Sequence, residues 1–188
     1  MTLFDTTRIL QPADVLAFWF KELERESWFQ SSPDLDEMIA RRFAATHLSL
    51  AKHIVGPWLA SPESRLAAIV VLDQFPRNIY RATPLAFATD GLALKLARES
   101  IETGADMAVP SDWRLFFYLP FEHSEDIADQ DRSVALFAAL GDANYLDFAE
   151  RHRAVIAKFG RFPHRNAFLG RSSTAAEQLY LQDPEAGF

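Results

Sequence analysis

The sequence contains no cysteine. Disulfides, thiolate nucleophiles and Cys-ligated zinc or iron–sulfur centres are therefore excluded. Glycine is scarce, at 7 of 188 residues, which argues against a sheet-rich fold full of tight turns. Lysine occurs only at positions 21, 52, 95 and 158, so arginine dominates the basic set. Genome base composition can produce such a bias, but arginine is also the better partner for buried carboxylates and bound phosphates. Cations as a class are outnumbered: the formal net charge is −7. That disfavours generic binding to nucleic acid or to an anionic membrane surface, both of which need clustered positive charge. The longest apolar run, Leu66 to Leu72, falls far short of the roughly 20 residues a membrane helix requires. Met1 to Leu10 lacks a charged segment followed by an apolar one, so no signal peptide is indicated and a soluble, cytoplasmic protein is expected.

What remains is a chain of ordinary globular composition, 49% hydrophobic and 24% charged. Its 16 phenylalanines mean that much of the core is ring packing. The length suits one domain, and a single all-helical domain over residues 1–188 is expected.

Helix starts recur. Ser32-Pro33-Asp34 and Ser61-Pro62-Glu63 each place a capping hydroxyl before proline and an acid. Thr174 with Glu177 matches a capping box, and Ser111-Asp112 and Ser124-Glu125-Asp126 open two further segments with acids that suit the helix dipole. Stop signals alternate with them at Gly56-Pro57, Phe75-Pro76, Gly104, Leu119-Pro120, Gly141, Gly160 and Phe162-Pro163. Helical periodicity places helices at residues 12–21, 34–55, 62–74, 84–103, 112–119, 124–140, 143–159 and 174–182. No period-two strand with hairpin turns stands out. The fold class is all-α, a tetratricopeptide-like helical array or an irregular bundle of about eight or nine helices.

Two stretches echo one another. Asp73-Gln74-Phe75-Pro76-Arg77-Asn78 and Gly160-Arg161-Phe162-Pro163-His164-Arg165-Asn166 each set Phe-Pro and then Arg-Asn after an apolar helical run, with Arg81 and Arg171 a few residues on. The first copy ends a helix that is apolar nearly all round, so Asp73 is expected at a buried helix C-terminus, opposed by the dipole and stripped of water. It needs a partner, and Arg77 supplies one if the chain turns back at Pro76. In the second copy the arginines lie beside Ser172, Ser173 and Thr174 at a helix start, a combination able to hold an anion. The competing reading is that these arginines bridge Glu122, Glu125 or Asp126 and pin down the C-terminal helix.

Polar residues also interrupt apolar stripes. His152 falls on a face with Tyr145, Phe148, Val155, Ile156 and Phe159, and His47 among Ile39, Phe43, Leu50 and Ile54. Gln130 interrupts Ile127, Val134 and Phe137, and the same face leads back to His123. Each histidine can equally be a core residue donating to a backbone carbonyl. The acids around His123 have no His-x-x-x-His or Glu-x-x-His spacing, so no metal site is assigned and no cofactor is implied. No nucleophile elbow occurs.

The Leu72 to Asn78 motif, the run Phe117 to Glu125 (FYLPFEHSE), the Phe159 to Asn166 motif, Arg171-Ser172-Ser173-Thr174 with Glu177, and Val15 to Phe20 (VLAFWF) together resemble the signatures of domain of unknown function 924. This is an uncharacterised bacterial family. The resemblance covers nearly the whole chain. It implies an all-helical, tetratricopeptide-like fold and no established activity.

The expected function is binding of a protein, peptide or small anionic ligand in an arginine-rich concavity formed by Asp73, Arg77, Asn78, His123, His164, Arg165, Asn166 and Arg171. Two alternatives stay open. One is a hydrolase or transferase with His152 or His164 as acid/base and Arg165 stabilising negative charge. In the other, the motifs are purely structural. Whether the protein is an enzyme, and its oligomeric state, are left undecided.

Overall fold

The protein is described by a computed structural model covering residues 8–30, 32–183 and 186. Most of the Met1 to Leu10 segment lies outside these residues. Among the described residues the fold is all-α. The α-helices are α1 (Pro12–Ala17), α2 (Pro33–Lys52), α3 (Pro62–Ile69), α4 (Phe75–Ile79), α5 (Asp90–Glu102), α6 (Leu115–Glu122), α7 (Ile127–Leu140), α8 (Ala143–Phe159) and α9 (Ala175–Tyr180). Short 3-10 turns join them, and two π-helical segments, Phe18–Glu22 and Val70–Gln74, continue α1 and α3. The chain divides into two compact units, the first holding Met1–Arg81 and Leu85–Phe117, the second Ala82–Pro84 and Tyr118–Phe188.

In the first unit the capping signals act where they stand. The hydroxyls of Ser32 and Ser61 accept from the backbone N–H of Leu35 and Ser64, and Pro33 and Pro62 open the helices where no donor is needed. The core is a lattice of rings. Phe18 lies 4.9 Å from Phe43, Phe43 4.6 Å from Phe75, and Trp19 5.7 Å from Phe116. All five are essentially inaccessible to solvent, each contributing about 1.5–3 kcal/mol by burial.

The Phe75-Pro76 stop is corrected here. The helix that begins at Pro62 does not end before Pro76; it loosens into the π segment Val70–Gln74 and resumes as α4 through Ile79. The wider turn accommodates the proline ring and its missing N–H. In consequence Asp73 lies within a helical run, not at a helix C-terminus.

In the second unit α7 and α8 pack against one another. Gly141, at φ 83°, closes α7 in a left-handed conformation, and the Asp142 carboxylate then accepts from the N–H groups of Asn144 and Tyr145 to start α8. Pro120 lies inside α6 and does not stop it; the helix ends two residues later. There the Gln130 side chain takes over the capping, its amide donating to the carbonyls of Glu122 at 2.6 Å and Ser124 at 2.7 Å. The start expected at Ser124 shifts to Ile127. Ser124 is spent on a turn, its hydroxyl donating to Asp129 and accepting from the N–H of Asp126, which becomes the cap.

Two stripes are also corrected. Ile127 and Phe148 are exposed, and the faces that turn inward are Asp129, Gln130, Ser133, Leu136 and Phe137 on α7, and Ala149, His152, Val155 and Ile156 on α8. His152 is buried, on the face expected for it.

Candidate functional site

The first motif forms a dense polar joint inside the first unit. Arg77 makes a two-pronged ion pair with Asp90 (3.0 and 3.2 Å) and also donates to the backbone carbonyl of Asp73. Its contact with the Asp73 carboxylate is looser, 3.7 Å, while the Gln74 amide donates to that carboxylate at 2.6 Å. Asn78 and Arg81 converge on Asp36 of α2, at 2.8 Å and 2.5 Å. Burial works against ionisation of Asp36, but the bonds from Arg81 and Asn78 outweigh it and hold its carboxyl below the usual range.

Beside this joint runs a buried polar chain. Thr89 donates to the carbonyl of Leu72 at 2.6 Å, so toward His47 Nε2, at 3.2 Å, its oxygen accepts. The ring is then the Nε2–H tautomer, and Nδ1 accepts from the Tyr80 hydroxyl at 3.2 Å. Burial keeps the imidazole neutral by lowering its pKa.

The second motif is organised around Phe162, which is fully buried. Its ring is met edge-on by the His152 imidazole (5.6 Å), at a tilt by the His164 imidazole (5.6 Å), and by the Arg165 guanidinium (4.5 Å). Its N–H donates to Glu125 at 2.8 Å, and its carbonyl accepts from Arg171 at 3.1 Å. Arg171 in turn grips Glu125 with two bonds, 2.6 and 2.9 Å, and donates to Asn166, whose amide reaches Ser173. Arg165 donates to the backbone carbonyl of His123 at 3.0 Å. For Glu125, partial burial favours protonation, but Arg171 and the Phe162 N–H prevail and hold its carboxyl low.

His152 donates from Nδ1 to the Phe148 carbonyl at 2.8 Å, with a Glu122 oxygen 3.4 Å away. Burial lowers its pKa to about 3; the Phe148 bond opposes this, and the charges of His123, Arg165 and His164 reinforce it. The imidazole is therefore neutral at physiological pH.

Of the eight expected site residues, Asp73, Arg77 and Asn78 gather in the first unit, and His123, His164, Arg165, Asn166 and Arg171 in the second. His123 and His164 are half-buried, while Arg165 and Asn166 are buried. A shallow recess of about 560 Å³ in the second unit is lined instead by Lys158, Phe159, Arg161, Thr174, Ala176 and Glu177. There Arg161 and Glu177 pair at 2.6 Å beside the Thr174 capping box, so this arginine is committed to a carboxylate as well. Among the described residues, no three His, Asp or Glu side chains are grouped to hold a metal ion.

Sequence reasoning did not single out Phe162 as a centre, nor Asp36, Thr89 and Asp90 as partners. A helix-breaking Phe-Pro pair gives no sign that the ring organises two histidines and an arginine. The acids of the first joint come from segments remote in sequence from it.

The chain matches the profile described as "Bacterial protein of unknown function (DUF924)" over residues 15–185. It is similar to a solved structure of a protein of unknown function from Agrobacterium tumefaciens, at 44% identity, with a TM-score of 0.87 over 92% of this chain and 97% of that one. No curated protein matches it. A profile match over most of the chain, together with that likeness in sequence and fold, places it: the chain belongs to the bacterial family of unknown function DUF924.

Proposed function

We propose that the protein binds a small anionic ligand at the histidine–arginine cluster of its second unit, with His123, His164 and Arg165 as the contacting groups and Asn166 and Arg171 holding the corner in shape. The observation that carries this reading is the convergence on one buried ring of two imidazoles and a guanidinium, in a chain whose net charge is −7. Titratable groups gathered around one buried ring are a candidate binding site on physical grounds. Asp73, Arg77 and Asn78 have a different role in this reading. Arg77 is paired with Asp90 and Asn78 donates to Asp36 within the first unit, and with Asp73 they act as a joint.

A second reading, acid/base catalysis by His152, is favoured by the Glu122 carboxylate beside its Nδ1. Set against it is the pKa of about 3, which makes the imidazole a weak base at neutral pH. Anion binding is the stronger conclusion.

The test is isothermal titration calorimetry with a panel of sulfate, phosphate and simple carboxylates, on the wild type and on His164→Gln and Arg165→Lys. Saturable binding that both variants weaken supports the assignment. Absence of binding by every anion, or binding unchanged in both variants while their circular dichroism stays native, overturns it.

A further inference from the structure

The recess of the second unit combines open space with cationic groups that have donors to spare. It encloses about 560 Å³, within the range of small-molecule sites, and Lys158, Phe159, Arg161, Thr174 and Glu177 are in its lining. Lys158 lies at the end of α8 and is exposed. One turn back, positions 154 and 155 are alanine and valine, so its own helix supplies no carboxylate to pair with it. Among the described residues its ammonium makes no ion pair; it lies 5.0 Å from the centroid of the Phe159 ring. Gly160, left-handed at φ 69°, then turns the chain into Arg161. Arg161 spends Nε and Nη2 on the Glu177 carboxylate and the Ser172 carbonyl. The two N–H groups of its Nη1 have no partner among the described residues. The Thr174 hydroxyl accepts from the N–H of Glu177 and keeps its own proton to donate.

Glu177 is ionised through its pairing with Arg161, so it cancels one of the two positive charges and leaves the recess one cation in excess. A monoanion balances that excess. The second charge of a dianion would face the Glu177 carboxylate with no cation left to match it. The apolar wall narrows the class further. Phe159 is half-buried, packs against Tyr180 at 5.2 Å, and still lines the recess. Its ring and the Lys158 ammonium therefore stand within the span of one benzoate-sized molecule. We propose that the recess binds an aromatic monocarboxylate, its ring against Phe159 and its carboxylate bridging Lys158 and Nη1 of Arg161. This second site goes beyond the anion-binding reading of the histidine–arginine cluster, and its lining shares no residue with the groups assigned there.

The probe is benzoate, followed on the full chain by calorimetry and by NMR contacts between the benzoate ring protons and the Phe159 ring. Saturable binding is expected, with acetate roughly tenfold weaker because it has no ring to lay against Phe159. Lys158→Gln, at an exposed position, should weaken benzoate roughly tenfold through the lost charge. Lys52→Gln removes an exposed lysine from the first unit and should leave the affinity unchanged. Phe159→Leu should bring the benzoate and acetate affinities together. Should that variant fail to fold, the wild-type comparison of the two anions and the Lys158→Gln titration still decide. Benzoate bound no better than acetate would overturn the aromatic class. Equal benzoate affinity in the wild type and Lys158→Gln would overturn the recess as the site. Benzoate binding weakened by His164→Gln and not by Lys158→Gln would return the ligand to the histidine–arginine cluster. Silence from benzoate, while sulfate or phosphate still binds in a way that His164→Gln weakens, would overturn the recess proposal alone.

Discussion

Thr89 donates its hydroxyl to the carbonyl oxygen of Leu72 at 2.6 Å, and Leu72 is the residue whose carbonyl the N–H of position 76 would bond in an α-helix. Position 76 is proline, so a side chain from the start of the next helical segment supplies a donor that the backbone cannot. One residue further on, the Asp73 carbonyl accepts from Arg77. The π segment is thus stitched by side chains, and the buried residues 66–73 stay helical without exposing a polar backbone atom.

Thr89→Val should therefore cost about 1–3 kcal/mol, because it leaves a buried carbonyl and the His47 ring short of a partner. Thr89→Ser should lose much less. Pro76→Ala restores an N–H at the same place, so in a double-mutant cycle the cost of Thr89→Val should shrink on the Pro76→Ala background. Urea denaturation of the four proteins measures this, and strictly additive costs would dismiss the link between Thr89 and Pro76.

How much of this was legible in the sequence depends on range. The caps at Ser32, Ser61 and Thr174 were readable because a cap is closed within three residues. The burial of His152 was readable because helical periodicity survives single interruptions. Pro76 misled, because the sequence signal for a helix stop is the same as the signal for a π-to-α junction; what separates them is Thr89, 17 residues away from Leu72. The bridging of an arginine to Glu125 was one of several pairings open to the second motif. Selecting Arg171, 46 residues distant, required the fold. Periodicity also misplaced Ile127 and Phe148, since a helix with an apolar residue on both sides of its inward face offers two stripes of similar strength.

His152 makes stability depend on pH in a defined window. Its imidazole has an ordinary pKa near 6.5 when unfolded and about 3 when folded. Between these two values the folded state binds fewer protons than the unfolded one. The contribution is fully present above pH 6.5 and is lost progressively toward pH 3. Its full size is on the order of a few kcal/mol. His152→Asn keeps a donor for the Phe148 carbonyl and cannot titrate. Between pH 6.5 and 5.5, where most carboxylates stay ionised, urea midpoints should fall more steeply for the wild type than for this variant, in which His47 still titrates. Parallel slopes for the two proteins would remove His152 as the cause.

Glu125 fills a cradle made of the Arg171 fork and the Phe162 N–H. Glu125→Ala should destabilise the second unit by about 1–3 kcal/mol through the donors it leaves unmatched. The emptied cradle should accept a small planar anion. Added formate is expected to raise the melting temperature of Glu125→Ala and not that of the wild type, with chloride at equal ionic strength as the control. If chloride restores as much as formate, the effect is screening and not occupation of the cradle.

Glu177 is strongly held in its ionised form. The bonds from Arg161 come first, the Thr174 N–H second, and together they lower its pKa to about 2. Because the folded pKa lies below the unfolded one, its contribution is present above pH 4.5 and fades as pH falls toward 2. Carboxyl carbon shifts followed by NMR should show Glu177 titrating well below the usual glutamate range. In Arg161→Gln the same carboxyl should titrate closer to the ordinary range, yet remain somewhat low, because the capping bond from Thr174 survives the substitution. An unchanged Glu177 titration in that variant would assign the whole effect to the helix start and leave the arginine no part in it.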